Sequence, residues 1–309
     1  MAKYKEVFWQ PRIIPLNKKN NCTSYDLIRI LKKKIAPGYG KIGHFGTLDP
    51  FAEGLLLVGV AGAARLNDLI HEHLPKTYLA RGILGAETDS LDLTGKITQK
   101  DEGPYFNEVI SQFDLPFLQS TFEKLFTGTY LQAPPYFSAA KFQGKPLHYW
   151  AREGVQIKKE AVERKIHSFK VISYQFPIIE FEVEVGTGTY IRTLFQDMAK
   201  HLGTLGYLES LTRVAIGSID SKNALEVEDI ETSLLDENHH QLILPTTLLP
   251  YKIIHLENDS IQKIKNGNDI VLNEEDEYLW LLHENKILAL LHNEQSFYRP
   301  MINFSQSYI

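Results

Sequence analysis

The sequence predicts an α+β fold, and three observations carry that reading. Strand-like and helix-like segments follow one another irregularly, without the regular strand–helix alternation of a doubly wound parallel sheet. Residues 178–185 alternate cleanly, with Phe181, Val183 and Val185 on one side and Glu180, Glu182 and Glu184 on the other, which is the period of a half-buried strand. Beyond Pro250 come the short strand-like runs YKIIHL, DIVL, YLWLLH, KILALLH and FYRPMINF. With 309 residues the chain has room for a large domain and a small one. The division expected is a large domain over 1–250 and a small β-rich module over 251–309.

Taken in order, RIIPL (12–16) reads as a strand. Thr23 and Ser24 can cap a helix with Leu27, Ile28, Ile30, Leu31 and Ile35 on its apolar positions. Lys32, Lys33 and Lys34 suit its C-terminal end, and Pro37 and Gly38 stop it. The loop KIGHFGTLDPFAEG (41–54) leads into LLLVGV (55–60), an apolar run expected to be buried on both faces. A helix is expected over roughly 62–71 and a strand over TYLARGIL (77–84). Residues 86–104 read as polar, punctuated by Gly95, Gly103 and Pro104, and short helical patterns follow near 107–126. APPY (133–136) is a rigid turn, FSAAKFQG an exposed strand-like stretch, and PLHYWAREG a short helix closed by Gly154. After GTGT (186–189) a helix carries Ile191, Leu194, Phe195, Met198 and Leu202 on one stripe. VAIGSI (214–219) is a further strand, and a polar, acidic stretch covers 220–240.

Composition bounds the function. Hydrophobic residues make up 43% and charged residues 23%, which excludes a disordered chain, a coiled coil and a collagen-like repeat. No uncharged apolar run approaches the ~20 residues that span a bilayer, and no secretory signal is expected in residues 1–30. Cys22 is the single cysteine, so no internal disulfide can form, which fits a reducing compartment. The net charge of −5 conceals an asymmetry. Residues 1–41 hold 10 basic and 2 acidic residues, whereas residues 171–309 hold 9 and 21. A polyanion responds to the local field rather than to the total.

Metal and nucleotide motifs are weak or absent. His71 and His73 flank Glu72 as HEH, but no HExxH, CxxC or P-loop pattern occurs, and these histidines read as isolated surface residues. The loop 43–54 is different. Gly43, Gly46 and Gly54 permit unusual backbone angles, and Pro50 stiffens the position of Asp49 at the mouth of a core strand. That is a sound place for a reactive carboxylate, and Asp-Pro is also a plain turn signal. Tyr78 opens a strand and can stack on a base. Tyr190 and Arg192 begin a helix after a glycine-rich turn, where amides and dipole favour an anion. Aromatics and cations interleave in KFQGKPLHYWAR (141–152), as in surfaces that hold RNA loops. Each residue taken alone has a structural reading as a core aromatic or an ion pair.

Together these segments resemble one family, the bacterial tRNA pseudouridine-55 synthases (TruB family). The resemblance lies in GHFGTLDPFAEGLLLVGVAGAAR (43–65), PKTYLARGILGAETDSLDLTG (75–95), PPYFSAAKFQGKPLHYWAREG (134–154) and GTYIRTLFQDMAKHLG (188–203), and more loosely in ESLTRVAIG (209–217). KNGNDI and FYRPMINF (265–270, 297–304) are similar to the small PUA-like RNA-binding module that often follows. The resemblance implies a pseudouridine synthase fold with a mixed or antiparallel central sheet flanked by helices. It implies isomerisation of a T-loop uridine of tRNA to pseudouridine, without cofactor or metal, by a monomer in the cytoplasm. In it Asp49 takes the catalytic place, Tyr78 packs against the flipped uracil, and Arg192 pairs with the carboxylate. His44 wedges into the T-loop, and Tyr190 and Leu211 line the base pocket. The chain departs from the family pattern at Asn17, Lys19 and Asn21, where Asp, Pro and Gly are usual, at Phe45 for Thr, and at Thr212 for a second arginine beside Arg213. Two rivals stay open on the sequence: a protein that holds the T-arm without modifying it, and an aspartate-dependent hydrolase. The hydrolase would need a second base or a metal site.

Overall fold

The computed structural model describes residues 10–35, 40–231 and 241–304. The sequence readings at Pro37, Gly38 and 232–240, and part of the basic N-terminal region (1–9), lie outside the described residues. In chain order the elements are β1 (Arg12–Lys18), α1 (Ser24–Lys34), β2 (Gly43–His44), β3 (Glu53–Val60), α2 (Asn67–His73), β4 (Lys76–Leu84), β5 (Ala86–Thr88), β6 (Ile97–Lys100), α3 (Pro104–Glu108) and α4 (Leu115–Phe126). They continue with β7 (Gly128–Gln132), β8 (Lys141–Phe142), β9 (Lys145–Pro146), α5 (Leu147–Arg152), β10 (Val162–Gln175), β11 (Ile178–Val185), α6 (Ile191–His201), β12 (Gly206–Ile216) and β13 (Ile219–Asp220). The C-terminal part holds α7 (Pro245–Leu248), β14 (Lys252–His255), α8 (Asn258–Lys265), β15 (Tyr278–His283), β16 (Lys286–Asn293) and β17 (Tyr298–Asn303).

The architecture is α+β. Among the described residues a nine-stranded sheet runs β1-β3-β12-β4-β11-β10-β7, with β2 beside β3 and β13 beside β12. It is mixed: β3 and β12 pair in parallel through Thr212–Glu53 and Arg213–Gly54, and the other ladders are antiparallel. A separate four-stranded sheet, β14-β15-β16-β17, forms the C-terminal module. Its apolar face meets the large sheet directly. Trp280, Leu290, Ile302 and Phe304 share one buried cluster with Ile13, Leu55 and Leu57, and the Trp280 indole donates to the Leu249 carbonyl at 2.8 Å. No described helix is long and apolar enough to cross a membrane.

Local chemistry sets the element ends. Thr23 is the N-cap of α1: its hydroxyl accepts from the Asp26 amide at 3.2 Å, and the Asp26 carboxylate accepts from the Thr23 amide at 2.8 Å, a capping box. β3 is buried from Gly54 to Val60, as its unbroken apolar run requires between two layers. The Phe181 ring stacks between Phe169 and Phe195, at centroid distances of 5.4 and 6.0 Å. Phe195 lies flat on the sheet because two strands have no side chain beneath it. A Cβ on Gly82 would sit 2.1 Å from its ring, and one on Gly206 would sit 2.8 Å away. These two glycines let α6 approach β4 and β12 closely, which fixes the height of residues one turn earlier in α6.

Several sequence readings needed correction. The polar stretch 86–104 contains a hairpin, β5–β6, whose second strand is wholly exposed and so carries no apolar period. The expected helix at 62–71 is a 3-10 turn over Ala63–Leu66 followed by α2. DIVL is no strand; only Ile270 bridges, to Tyr298. β7 and β10 fall outside the strands that the sequence predicts, and β12 starts eight residues before the strand expected at 214. In β10 two register shifts break the alternation, leaving Ile166, Phe169 and Val171 as the buried positions.

Gly82→Ala is expected to destabilise the fold by about 1–3 kcal/mol, because the added methyl meets the Phe195 ring inside a close-packed layer. Equilibrium denaturation checks this, and an unchanged midpoint contradicts it.

Candidate active site

The loop before β3 is held from three directions. The Lys18 side chain, fully buried, leaves the end of β1 and its ammonium donates to the carbonyls of Ala52 (2.5 Å), Lys19 (3.2 Å) and Pro50 (3.3 Å). Burial lowers its pKa, and the carbonyls compensate the charge. Ser24, beside the α1 cap, accepts from the Leu48 amide at 3.0 Å and donates to the Leu48 carbonyl at 3.3 Å. The Ala52 amide donates to the Asp49 carbonyl at 3.1 Å and closes the turn. Gly54 has φ of +100°, and a Cβ there would lie 2.4 Å from the Arg213 carbonyl oxygen, so the parallel contact of β3 with β12 requires glycine.

The departures from the family pattern are accommodated. Asn21 adopts φ of +59°, a left-handed angle that asparagine tolerates better than most residues. Asn17 donates to Glu226 at 2.7 Å, and Lys19 pairs with the same carboxylate at 3.0 Å. Phe45 is fully buried, and its ring occupies the space that Gly59 leaves free.

Arg192 stands in the first turn of α6. Its Nε donates to Asp49 Oδ2 at 2.8 Å, Nη1 to the Ser90 carbonyl at 2.7 Å and Nη2 to the Phe137 carbonyl at 2.8 Å; Asp92 lies 3.8 Å from Nη1. The arginine side chain is 3% exposed and the Asp49 side chain 36%, so the guanidinium is the buried support and the carboxylate its accessible tip. Asp49 Oδ1 makes no hydrogen bond among the described residues. One carboxylate oxygen is therefore anchored and the other is free. Tyr190 is fixed beside it by Gln132 of β7, which accepts from its amide at 2.7 Å and donates to its carbonyl at 3.0 Å.

A cleft of about 260 Å³ brings together Asp49, Tyr78, Tyr190 and Leu211. Strand register explains the grouping. Leu211 lies opposite Ala80 and Arg213 opposite Tyr78 across β12–β4, and Val185 lies opposite Lys76 across β11–β4. These residues share one face of the sheet. Arg192 does not line the cleft; it braces Asp49 from behind. His44 does not line it either: it pairs with Val58 at the end of β2, and its Nδ1 is buried without a hydrogen-bond partner among the described residues. Burial, then the charge of Arg213, lowers the His44 pKa, so the ring is neutral near pH 7.

Sequence reasoning missed three cleft residues. Lys76, His71 and Arg213 all line it. His71 is half-buried rather than a surface histidine, because α2 turns it towards Gly46, and burial followed by Lys76 and Arg213 lowers its pKa. The Lys76 signal lay two residues before Tyr78 on the same strand face. Asp92 and Gln132, which support Arg192 and Tyr190, gave no signal, since their partners are more than fifty residues away.

Residues 29–191 match the model of the TruB family pseudouridylate synthase, N-terminal domain. A protein named tRNA pseudouridine synthase B from Hydrogenovibrio crunogenus is 34% identical over 267 residues, covering 86% of this chain and 84% of its own. Its namesake from Protochlamydia amoebophila is 37% identical over 224 residues, covering 71% and 79%. A chain from the crystal structure of a Cbf5-Nop10-Gar1 complex shares the fold, with a TM-score of 0.63 at 18% identity over 92% of this chain and 79% of that one. The chain belongs to the TruB family of pseudouridylate synthases.

Proposed function

We propose that the protein converts the T-loop uridine known as uridine-55 of tRNA to pseudouridine, with Asp49 as the catalytic residue. The observation that carries this is the Asp49 carboxylate, held at one oxygen by buried Arg192 and free at the other in a cleft walled by Tyr78. The names of the relatives support tRNA as substrate.

The reaction detaches uracil from ribose at nitrogen, turns it and rejoins it through carbon. A base in a stacked loop must first be flipped out, at a cost of a few kcal/mol. His44 and its loop fill the gap left behind, and a neutral imidazole stacks there without a charge penalty. Tyr78 lies against the extruded uracil, and Tyr190 and Leu211 close the pocket. The free oxygen of Asp49 then attacks the anomeric carbon, or takes a sugar proton to give a glycal; both routes need an ionised carboxylate. No metal or cofactor enters the scheme. Residues 1–250 form the catalytic unit, and residues 251–309 a PUA-like module that contacts RNA. That module holds 5 basic and 9 acidic residues, so its contacts rest on shape and neutral donors more than on phosphate neutralisation. The protein acts as a monomer in the cytoplasm on the T-arm stem-loop.

Asp49→Asn is expected to keep tRNA affinity and lose more than about a thousandfold in rate. Mapping pseudouridine in transcribed tRNA, without added metal, checks this, and near-normal turnover removes the reading. Tyr78→Phe is expected to lose about a hundredfold in rate with the melting point unchanged; an undiminished rate leaves the tyrosine a packing role only. Affinity for tRNA is expected to fall about tenfold or more when salt rises from roughly 50 to 200 mM, as titration at several ionic strengths would show.

A further inference from the structure

Two cations that line the cleft are buried without an ion pair among the described residues. Lys76 is 4% exposed and Arg213 is 1% exposed, and neither has a carboxylate partner among the described residues. The Lys76 ammonium donates to the carbonyls of Leu74 (2.7 Å) and His71 (2.8 Å), which occupy two of its three hydrogens. Arg213 Nε donates to the Leu55 carbonyl at 2.7 Å and Nη2 to the Gly46 carbonyl at 3.0 Å; Nη1 has no protein partner among the described residues. Both side chains are thus rigidly held, and each keeps a donor in reserve. Burying two like charges without an anion is costly, and such an arrangement is expected where an anion forms.

Position narrows the anion. Lys76 and Tyr78 are two residues apart on β4, on the same face and roughly 7 Å apart along the strand. Arg213 is the register partner of Tyr78 across β12. The cations therefore flank the tyrosine on the sheet that forms the cleft floor. A base lying on Tyr78 would have its ring oxygens beside these two donors.

We propose that Lys76 and Arg213 form an anion subsite that holds the uracil while it is detached from the ribose. This rests on the functional reading above. When the C1′–N1 bond breaks, its electron pair leaves with the base, and the negative charge spreads over N1, O2 and O4. That holds whether Asp49 bonds to C1′ or takes the C2′ proton. The turned base then uses the same pair to bond C5 to C1′, which releases the carboxylate or returns the proton to C2′. The C5 proton then passes to water and N1 takes one from water, which completes the isomerisation with no net change. Donors fixed in place before the charge appears stabilise it without reorganising. Lys76 is thereby a catalytic residue alongside Asp49, and Arg213 both shapes the loop and shares the charge.

The titratable and charged groups that share the cleft with Lys76 are Asp49, His71, Tyr78, Tyr190 and Arg213. Burial, then Arg213, brings the Lys76 pKa down to about 8, so it is a cation at pH 7 and loses its proton as pH rises through that value. The test compares wild-type protein, Lys76→Met and Lys76→Arg on transcribed tRNA. Lys76→Met is expected to lose about a hundredfold in the single-turnover rate, with tRNA affinity within about twofold of wild type. Lys76→Arg is expected to recover most of the rate. On tRNA made with 5-fluorouridine, whose fluorine draws charge from the departing base, the Lys76→Met penalty in consumption of the fluorinated base is expected to shrink about tenfold.

An unchanged rate, an equal penalty on both bases, or an affinity loss as large as the rate loss overturns the proposal. The last outcome would assign the cations to a backbone phosphate. Should Lys76→Met fail to fold, the wild-type pH profile decides. Its kcat/KM is expected to fall above pH about 8, and a flat profile through that range overturns the proposal. Wild-type protein that forms no pseudouridine sinks the functional reading; wild-type activity with an indifferent Lys76→Met variant sinks the subsite alone.

Discussion

The Arg192 guanidinium ties four segments together. Its three nitrogens reach Asp49 in the loop before β3, Ser90 beyond the β5 strand and Phe137 beyond β7, all from the first turn of α6. A planar, always-charged fork is the side chain suited to such a junction, because its donors point in fixed directions. Buried and with each nitrogen engaged, it cannot move without breaking several charge-assisted bonds. The orientation of the Asp49 carboxylate follows from that rigidity.

The rest of the framework serves to bring this arginine to the aspartate. Gly82 and Gly206 lower α6 onto the sheet by giving the Phe195 ring a flat seat. Gly54 lets β3 run parallel and close to β12, which delivers the end of the Asp49 loop and the Arg213 side chain to the same place. Lys18 and Ser24 pin the loop from the two elements that precede it. The loop that carries Asp49 is stapled to β1, α1 and β3, which holds its carboxylate in a fixed orientation.

Charge is distributed with equal economy. Basic residues concentrate in the N-terminal region and acidic ones in the C-terminal half, so the net charge of −5 hides a polar molecule. The cleft lining holds the cations Lys76 and Arg213 alongside Asp49, whose ion-pair partner is Arg192. Burial, followed by the charge of Arg213 on Lys76 and the charges of Lys76 and Arg213 on His71, lowers the pKa values of Lys76 and His71. A site that is electrostatically unsatisfied before its substrate enters is a common feature of enzymes that stabilise a transient anion.

Local patterns in the amino-acid order determined much of this protein. The capping box at Thr23, the apolar run of β3, the alternation of β11 and the stripe of α6 all depend on neighbours within a few positions, and each was readable. Motif resemblance singled out Asp49, Tyr78, Tyr190, Arg192 and Leu211, and the fold brings Asp49, Tyr78, Tyr190 and Leu211 into one cleft with Arg192 bonded to Asp49. What depended on distant partners was not readable. β10 hides its period behind two register shifts, Lys76 and Arg213 become a pair only when β4 and β12 align, and Asp92 and Gln132 acquire roles only through α6. Tertiary structure decided these because a buried charge or a bulged strand is defined by what packs against it, and that partner lies far along the chain.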